Sequence, residues 1–145
     1  MYFAREMRES YTILLADDDP DDQELIVQAF TEVCPSFSLH IVNDGREVID
    51  FLSTTSDHKL PCLIVLDYNM PQLNGAQVLQ ILIAHSRYEK IPKIILSTSG
   101  NPKFRQDCLH KGASAYWVKP DNFSQLIVLA KEMLELCGEH SLISN

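Results

Sequence analysis

The residues with the most chemical promise in this chain are acidic, and they cluster at the ends of apolar runs. Asp17, Asp18 and Asp19 directly follow Thr12-Ile13-Leu14-Leu15-Ala16. Asp67 directly follows Pro61-Cys62-Leu63-Ile64-Val65-Leu66, and Asn69 stands two residues beyond it. A fourth apolar run, 92–96, ends in Ser97-Thr98-Ser99, and a fifth, 113–118, ends at Lys119. Several carboxylates brought within a few ångströms of one another cannot all ionise without a counter-charge. A hard divalent cation with oxygen ligands supplies one, and Mg²⁺ suits an open site that leaves room for phosphate oxygens. Lys119 would pair with an anionic product and the Ser97 hydroxyl would donate to a phosphoryl oxygen. The remaining carboxylate can act as a nucleophile. Phosphoryl transfer needs little more, because it rests on positioning and charge neutralisation.

Such a site requires elements that carry these residues to one place, and the chain supplies them. Apolar runs alternate with helical patterns five times. Residues 21–33 place Leu25, Ile26, Ala29, Phe30 and Val33 at helical spacing, and Asp19, Asp21 and Asp22 are expected to be mostly solvated and to cap this first helix. Leu39-His40-Ile41-Val42 reads as a short strand, and Asp44 caps a helix bearing Val48, Ile49, Phe51 and Leu52. Asn74 or Gly75 opens a helix with Val78, Leu79, Leu82 and Ile83; 102–110 reads as a weaker helix closed by Gly112; and 123–137 is a long final helix. This alternation implies βαβ units and a parallel sheet covered by helices on both faces. In such sheets, ligand sites form beyond the carboxyl ends of the strands, where strand order reverses. In an order 2-1-3-4-5, the first and third strands are neighbours at that point. The aspartates, the hydroxyl and the lysine would then share one cleft.

Composition narrows the field. The chain has 145 residues, 46% apolar and 22% charged, which fits one compact domain with a real core, here taken as 1–145 with its core at about 11–138. The formal charge of −8, with no Lys/Arg run, argues against nucleic-acid and anionic-membrane surfaces. The first ten residues lack the apolar stretch of a signal peptide, and no apolar run approaches a membrane span, so a cytoplasmic location is expected. The four cysteines, Cys34, Cys62, Cys108 and Cys137, form no C-x-x-C pair and lie at no zinc-ligand spacing from histidine. They are expected to be free, mostly buried thiols in a reducing compartment. The scattered histidines read as structural or surface residues.

With these residues in view, the chain resembles the receiver domains of two-component response regulators along nearly its whole length, in the manner of the stand-alone chemotaxis-type receivers. The matching stretches are 13–20 (Ile-Leu-Leu-Ala-Asp-Asp-Asp-Pro), 66–71 (Leu-Asp-Tyr-Asn-Met-Pro) with Gly75, Gly112-Ala113, and Val118-Lys119-Pro120. The resemblance implies a flavodoxin-like (βα)5 fold with strand order 2-1-3-4-5. It also implies that Asp67 is the phosphoacceptor, that Asp17 and Asp18 hold Mg²⁺ with Asp67 and the backbone carbonyl of Asn69, and that Lys119 contacts the phosphoryl group. Ser97 falls at the hydroxyl switch position and Tyr116 at the aromatic one, and the Lys119-Pro120 bond is expected to be cis. Two residues depart from the common pattern. Ser97 stands where Thr is commoner, and Thr98 follows where many receivers have Ala; a larger side chain there restricts access to the phosphoryl group.

The leading expectation is therefore a signalling phosphoacceptor, not a general enzyme. A sensor histidine kinase would phosphorylate it, and it would catalyse only its own phosphorylation and dephosphorylation. With no output domain expected after the fifth unit, the signal would pass by protein contact to a downstream target, by dimerisation, or by relay to a second histidine. The final helix carries two apolar stripes, Leu126/Leu129/Met133 and Ile127/Ala130/Leu134. One is expected to face the sheet and the other to join the fourth helix and fifth strand in a partner or homodimer face. Tyr116 and Trp117 alternate, so Trp117 is expected on the opposite face, in the core. Two other classes are weighed beside this one. A haloacid-dehalogenase-like phosphatase would use Asp17 in a D-x-D pattern, but Asp21 stands where Thr or Val is expected. A flavin or nucleotide carrier would need a Gly/Ser/Thr-rich loop where this chain has aspartates.

Overall fold

The computed structural model describes residues 12–138. Five parallel strands form one sheet in the order β2-β1-β3-β4-β5, where β1 is Thr12–Ala16, β2 Ser38–Val42, β3 Leu63–Asp67, β4 Lys93–Ser97 and β5 Ala115–Val118. The connecting helices are α1 (Pro20–Val33), α2 (Gly45–Thr54), α3 (Gly75–Ile83), α4 (Pro102–His110) and α5 (Phe123–Gly138). This is the parallel sheet of βαβ units that the alternating pattern predicts, in the flavodoxin-like (βα)5 form that the resemblance implies.

The strands are nearly all apolar because both faces of the sheet are covered. β3 and β4 are buried at every position, and β1 at all but its first. Successive side chains go to opposite faces. Leu14, Ala16, Ile64, Leu66 and Ile95 pack with Val48, Leu52, Val78, Leu79, Leu82 and Cys108 of α2, α3 and α4. Ile13, Leu15, Leu63, Val65, Ile94 and Leu96 pack with Ile26, Ala29 and Phe30 of α1 and with Leu129, Ala130, Met133 and Leu134 of α5. Trp117 lies against this second cluster and Tyr116 in the first, as their alternation predicts.

Local chemistry fixes where the helices begin. The Asp19 carboxylate accepts from the Asp21 and Asp22 amides ahead of α1, and Asp44 accepts from Glu47 ahead of α2. Asn74 and Gln77 form a reciprocal capping box at α3. Asn101 caps α4, and Pro102 stands in its first turn. After α4 the chain reverses at Gly112, whose φ of 109° suits a residue without Cβ.

Two expectations need correction. The apolar stripes of α5 do not divide between sheet and partner. Leu129, Ala130, Met133 and Leu134 are all buried, because α5 packs against both the sheet and α1 on the same face, and a helix with two neighbours buries a wide face. Nor are all four cysteines free: Cys62 and Cys137 are joined in a disulfide, with Cα atoms 4.9 Å apart. Cys62 lies just before β3, at the amino edge of the sheet. α5 runs antiparallel to the strands and brings Cys137 to the same edge. The pair is 75 residues apart in sequence, so nothing in the spacing reveals it. Cys34 and Cys108 are free thiols. Among the described residues, no helix is long and apolar enough to cross a membrane. The N-terminal segment read as lacking a signal peptide, and the tail after residue 138, lie outside the described residues.

Candidate functional site

The site lies at the carboxyl ends of β1 and β3, the two strands at the switch in strand order. Asp17 leaves β1 with its amide donating to Val42 O (3.1 Å), so the acidic turn is tied to the end of β2. Gln23, in the first turns of α1, donates to the Asp17 carbonyl and to Asn43 Oδ1 (2.9 Å), which closes the same turn from the helix side. Asp67 ends β3 opposite Leu96 of β4, which places Ser97 beside it at the end of the next strand. Gly75 holds the loop after β3 close: a Cβ there would come within 2.8 Å of the Asp67 carbonyl oxygen.

Asp17, Asp18 and Asp67 offer carboxylate oxygens that lie within 4.8 Å of one another. Asp17 and Asp67 are buried, whereas Asp18 is exposed at the mouth. Lys119, extending from the end of β5, reaches Asp17 Oδ2 at 3.1 Å and Asp67 Oδ2 at 3.2 Å. Its amide also donates to Ser97 O at 2.7 Å. The ammonium carries one positive charge against several negative ones. Burial therefore wins on the acids: it pushes Asp67 up to about 6, with Asp17 adding repulsion against the opposing pull of Lys119. Burial likewise raises Asp17 above the ordinary carboxylate range, against the Asp19 amide and Lys119. Burial disfavours the Lys119 charge too, but the Asp22 hydrogen bond and the Asp17 and Asp67 charges outweigh it and hold Lys119 above its ordinary range. The cluster thus has room for further positive charge, and its donors are all hard oxygens. This is the donor set that Mg²⁺ or a similar divalent cation takes.

The structure brings together Asp17, Asp18, Asp67 and Lys119 as the spacing predicts. Ser97 is fully buried and its hydroxyl accepts from the Ser99 amide at 3.0 Å. Asn69 follows the site on an exposed turn, and its amide donates to Asp67 Oδ1 at 3.3 Å. Thr98 is exposed. Tyr116 is turned inward and 2% exposed, with its hydroxyl donating to Ser99 O at 2.7 Å; Arg105 of α4 donates to the Tyr116 carbonyl at 3.0 Å. The loop after β4 and helix α4 are therefore tied directly to β5. The Lys119-Pro120 bond is trans, contrary to expectation. The trans form is intrinsically favoured even before proline, and Lys119 meets its carboxylates with the bond in that form.

Asp22 was expected to be a solvated capping residue, but it is part of the site. Its Oδ2 lies 2.8 Å from Lys119 Nζ, nearer than either Asp17 or Asp67. Tyr68 is a second residue the sequence did not single out. Its ring stacks on Phe104 of α4 with centroids 5.2 Å apart, joining the segment after Asp67 to that helix.

Comparison with known proteins agrees with this geometry. The family model described as the response regulator receiver domain matches residues 13–131. Response regulator Rre1 of Synechocystis is 32% identical over 88% of this chain and 53% of its own length. HprR, a transcriptional regulatory protein of Escherichia coli, is 33% identical over 91% of this chain and 54% of its own length. The chain thus spans about half the length of the first curated relatives it matches. Among solved structures, the phosphorylated cyanobacterial phytochrome response regulator RcpA superposes with a TM-score of 0.80 at 27% identity, covering 94% of this chain and 96% of that one. The Mn²⁺-bound form of response regulator Rcp1 does so with a TM-score of 0.77 at 25% identity, covering 90% and 96%. These matches lend no support to the phosphatase or carrier readings. With its acidic cluster and lysine at the switch point of a 2-1-3-4-5 sheet, and a family match over most of its length, this chain belongs to the response regulator receiver domain family of two-component signalling.

Proposed function

We propose that the chain is a phosphoacceptor switch in which Asp67 takes a phosphoryl group from the phosphohistidine of a sensor histidine kinase. The observation that carries this reading is the convergence of Lys119 and the three clustered carboxylates on the end of β3. In the transfer, an Asp67 carboxylate oxygen forms the new bond to phosphorus, and the phosphorus–nitrogen bond to the donor histidine breaks with its electron pair leaving on nitrogen. Asp67 titrates at about 6, so at neutral pH most of it is the nucleophilic carboxylate. Asp17, Asp18 and Asp67, with the Asn69 carbonyl, would hold Mg²⁺, which when bound neutralises charge on the transferring phosphoryl group. Lys119 and the Ser97 hydroxyl take the remaining phosphoryl oxygens.

The Ser97 hydroxyl can donate its own proton to a phosphoryl oxygen while its oxygen goes on accepting from the Ser99 amide, so a movement of Ser97 pulls on Ser99. The Ser99 carbonyl in turn accepts from Tyr116, so a change at Ser97 reaches the surface through that loop. The output face of this reading is formed by α4, β5 and α5. Val118 and Val128 are about half exposed there and line a shared groove of about 480 Å³ with Trp117 and Leu129. A downstream protein or a second copy would dock on that face, and the whole would act in the cytoplasm.

The test is the intact mass of wild type and Asp67→Asn after incubation with a small phosphodonor, with Mg²⁺ or with chelator. One added phosphoryl group only on wild type with Mg²⁺ is expected. Equal labelling of Asp67→Asn would remove Asp67 as acceptor.

A further inference from the structure

We propose that Cys62 and Cys137 form a reversible thiol–disulfide site, closed by low-molecular-weight disulfides and opened by thiols, that fastens the end of α5 to the amino edge of the sheet. The inference is independent of the phosphoacceptor reading, since the pair lies at the opposite edge of the sheet from Asp67.

The two half-sites differ in how firmly they are held. Cys62 is built into the sheet, its amide donating to Thr12 O at 2.9 Å at the start of β1. Cys137 sits in the last turn of α5. Among the described residues, no ion pair and no side-chain hydrogen bond joins α5 to the rest of the fold beyond its first turn, where Asn122 caps Gln125. From Leu129 onward the helix is held by apolar contact and by this one covalent link. Opening the bond therefore frees the helix end and leaves the strand in place.

The site is also chemically selective. Cys108 is fully buried and burial pushes its thiol up to about 11, so it supplies almost no thiolate at neutral pH. Cys34 is partly exposed, with its sulfur 3.7 Å from Ser36 Oγ and no cysteine partner. Cys137 is 6% exposed, whereas Cys62 is only partly buried, so Cys62 is the sulfur within reach of a thiolate from outside. In reduction, an external thiolate forms a bond to the Cys62 sulfur, and the Cys62–Cys137 bond breaks. The electron pair leaves on Cys137, which takes a proton. A second external thiol then resolves the mixed disulfide, so two thiols become one small disulfide and the protein gains two hydrogens. Oxidation by a small disulfide is the reverse.

The experiment uses the full chain, equilibrated in buffers of reduced and oxidised glutathione. Remaining thiols are then alkylated and mapped by peptide mass, and amide hydrogen exchange is measured in parallel. Oxidised buffer is expected to give a Cys62–Cys137 linked peptide with Cys34 free, and excess dithiothreitol to remove the link from the folded protein. On reduction, the amides of the last two turns of α5 should exchange several-fold faster by local opening, at exchange times too short for the globally protected amides of β3 to exchange. Cys62→Ser should show the faster exchange in either buffer. Alkylation of both cysteines in oxidised buffer, a link to Cys34, a link that resists dithiothreitol in the folded protein, or exchange in α5 indifferent to reduction would each overturn the proposal.

Discussion

At the scale of the residue, the behaviour of the site follows from too much negative charge around one ammonium. Lys119 has three protons, and the structure gives each a carboxylate: Asp17, Asp22 and Asp67. In the proposed transfer, a phosphoryl oxygen would displace one of them. Asp22 is the most exposed of the three and the least tied to the sheet, so it is the one to yield. Asp22→Asn should speed labelling by a small phosphodonor roughly fivefold, the equivalent of about 1 kcal/mol for a partly exposed ion pair. Asp22→Glu should stay near wild type, and initial rates by intact mass check both. Burial raises both Asp17 and Asp67, and part of the pH dependence belongs to Asp67. Its folded value of about 6 lies above the ordinary 3.8, so the folded state binds this proton more tightly than the unfolded chain does. Its contribution to the stability of the metal-free fold therefore rises as pH falls through about 6 and levels off below 3.8. Urea midpoints without divalent ions should rise from pH 7 to pH 5 for wild type relative to Asp67→Asn. Parallel curves would show that burial of Asp67 does not govern this range. Divalent-ion affinity should weaken over the same interval, because proton and cation compete for one carboxylate.

At the scale of the element, the loop after β3 and helix α3 act as one unit. The capping box of Asn74 and Gln77 begins α3, and Gly75 lets the helix start directly against the Asp67 carbonyl. Asn74→Ala should cost about 1 kcal/mol of stability, the usual loss of an N-cap, with phosphorylation largely retained. Gly75→Ala should differ in kind. Its Cβ would push on the backbone of Asp67 and of Tyr68, so the labelling rate should fall by more than its stability loss explains, and paired unfolding and rate measurements separate the two. Helix α4 was the weaker helix in sequence. It buries Cys108 and otherwise holds to the fold through the Tyr68–Phe104 stack and the Arg105 bond to Tyr116. Elements with little buried apolar surface are the ones that move most readily. This makes α4 a loosely held part of the proposed output face.

At the scale of the whole molecule, the sheet separates two chemistries. The acidic cluster lies beyond the carboxyl ends of the strands, and the cysteine pair lies at their amino ends. The disulfide closes a loop of 75 residues, which in the chain-entropy view is worth roughly 4 kcal/mol. Unfolding with and without reductant should show a loss of that order, and Cys62→Ser should lose its dependence on reductant. Saturating Mg²⁺ should raise the midpoint of wild type by mass action and that of Asp67→Asn less.

The order of strands and helices, and the acidic–hydroxyl–lysine set at their ends, were legible in the sequence because both are local. Burial on two faces writes an unbroken apolar run, and the residue after each run lies at the same edge of a parallel sheet. Asp17, Asp18, Asp67, Ser97 and Lys119 could therefore be gathered without coordinates. Tertiary structure alone decided what depends on distance across the fold. It turned Asp22 from a solvated cap into a partner of Lys119, since that pairing spans the gap between α1 and β5. It buried both stripes of α5, because α1 covers the side that the pattern left open. It kept the bond before Pro120 trans. It also joined Cys62 to Cys137, because an antiparallel helix returns its last turn to the edge where β3 begins, and sequence spacing carries no trace of that return.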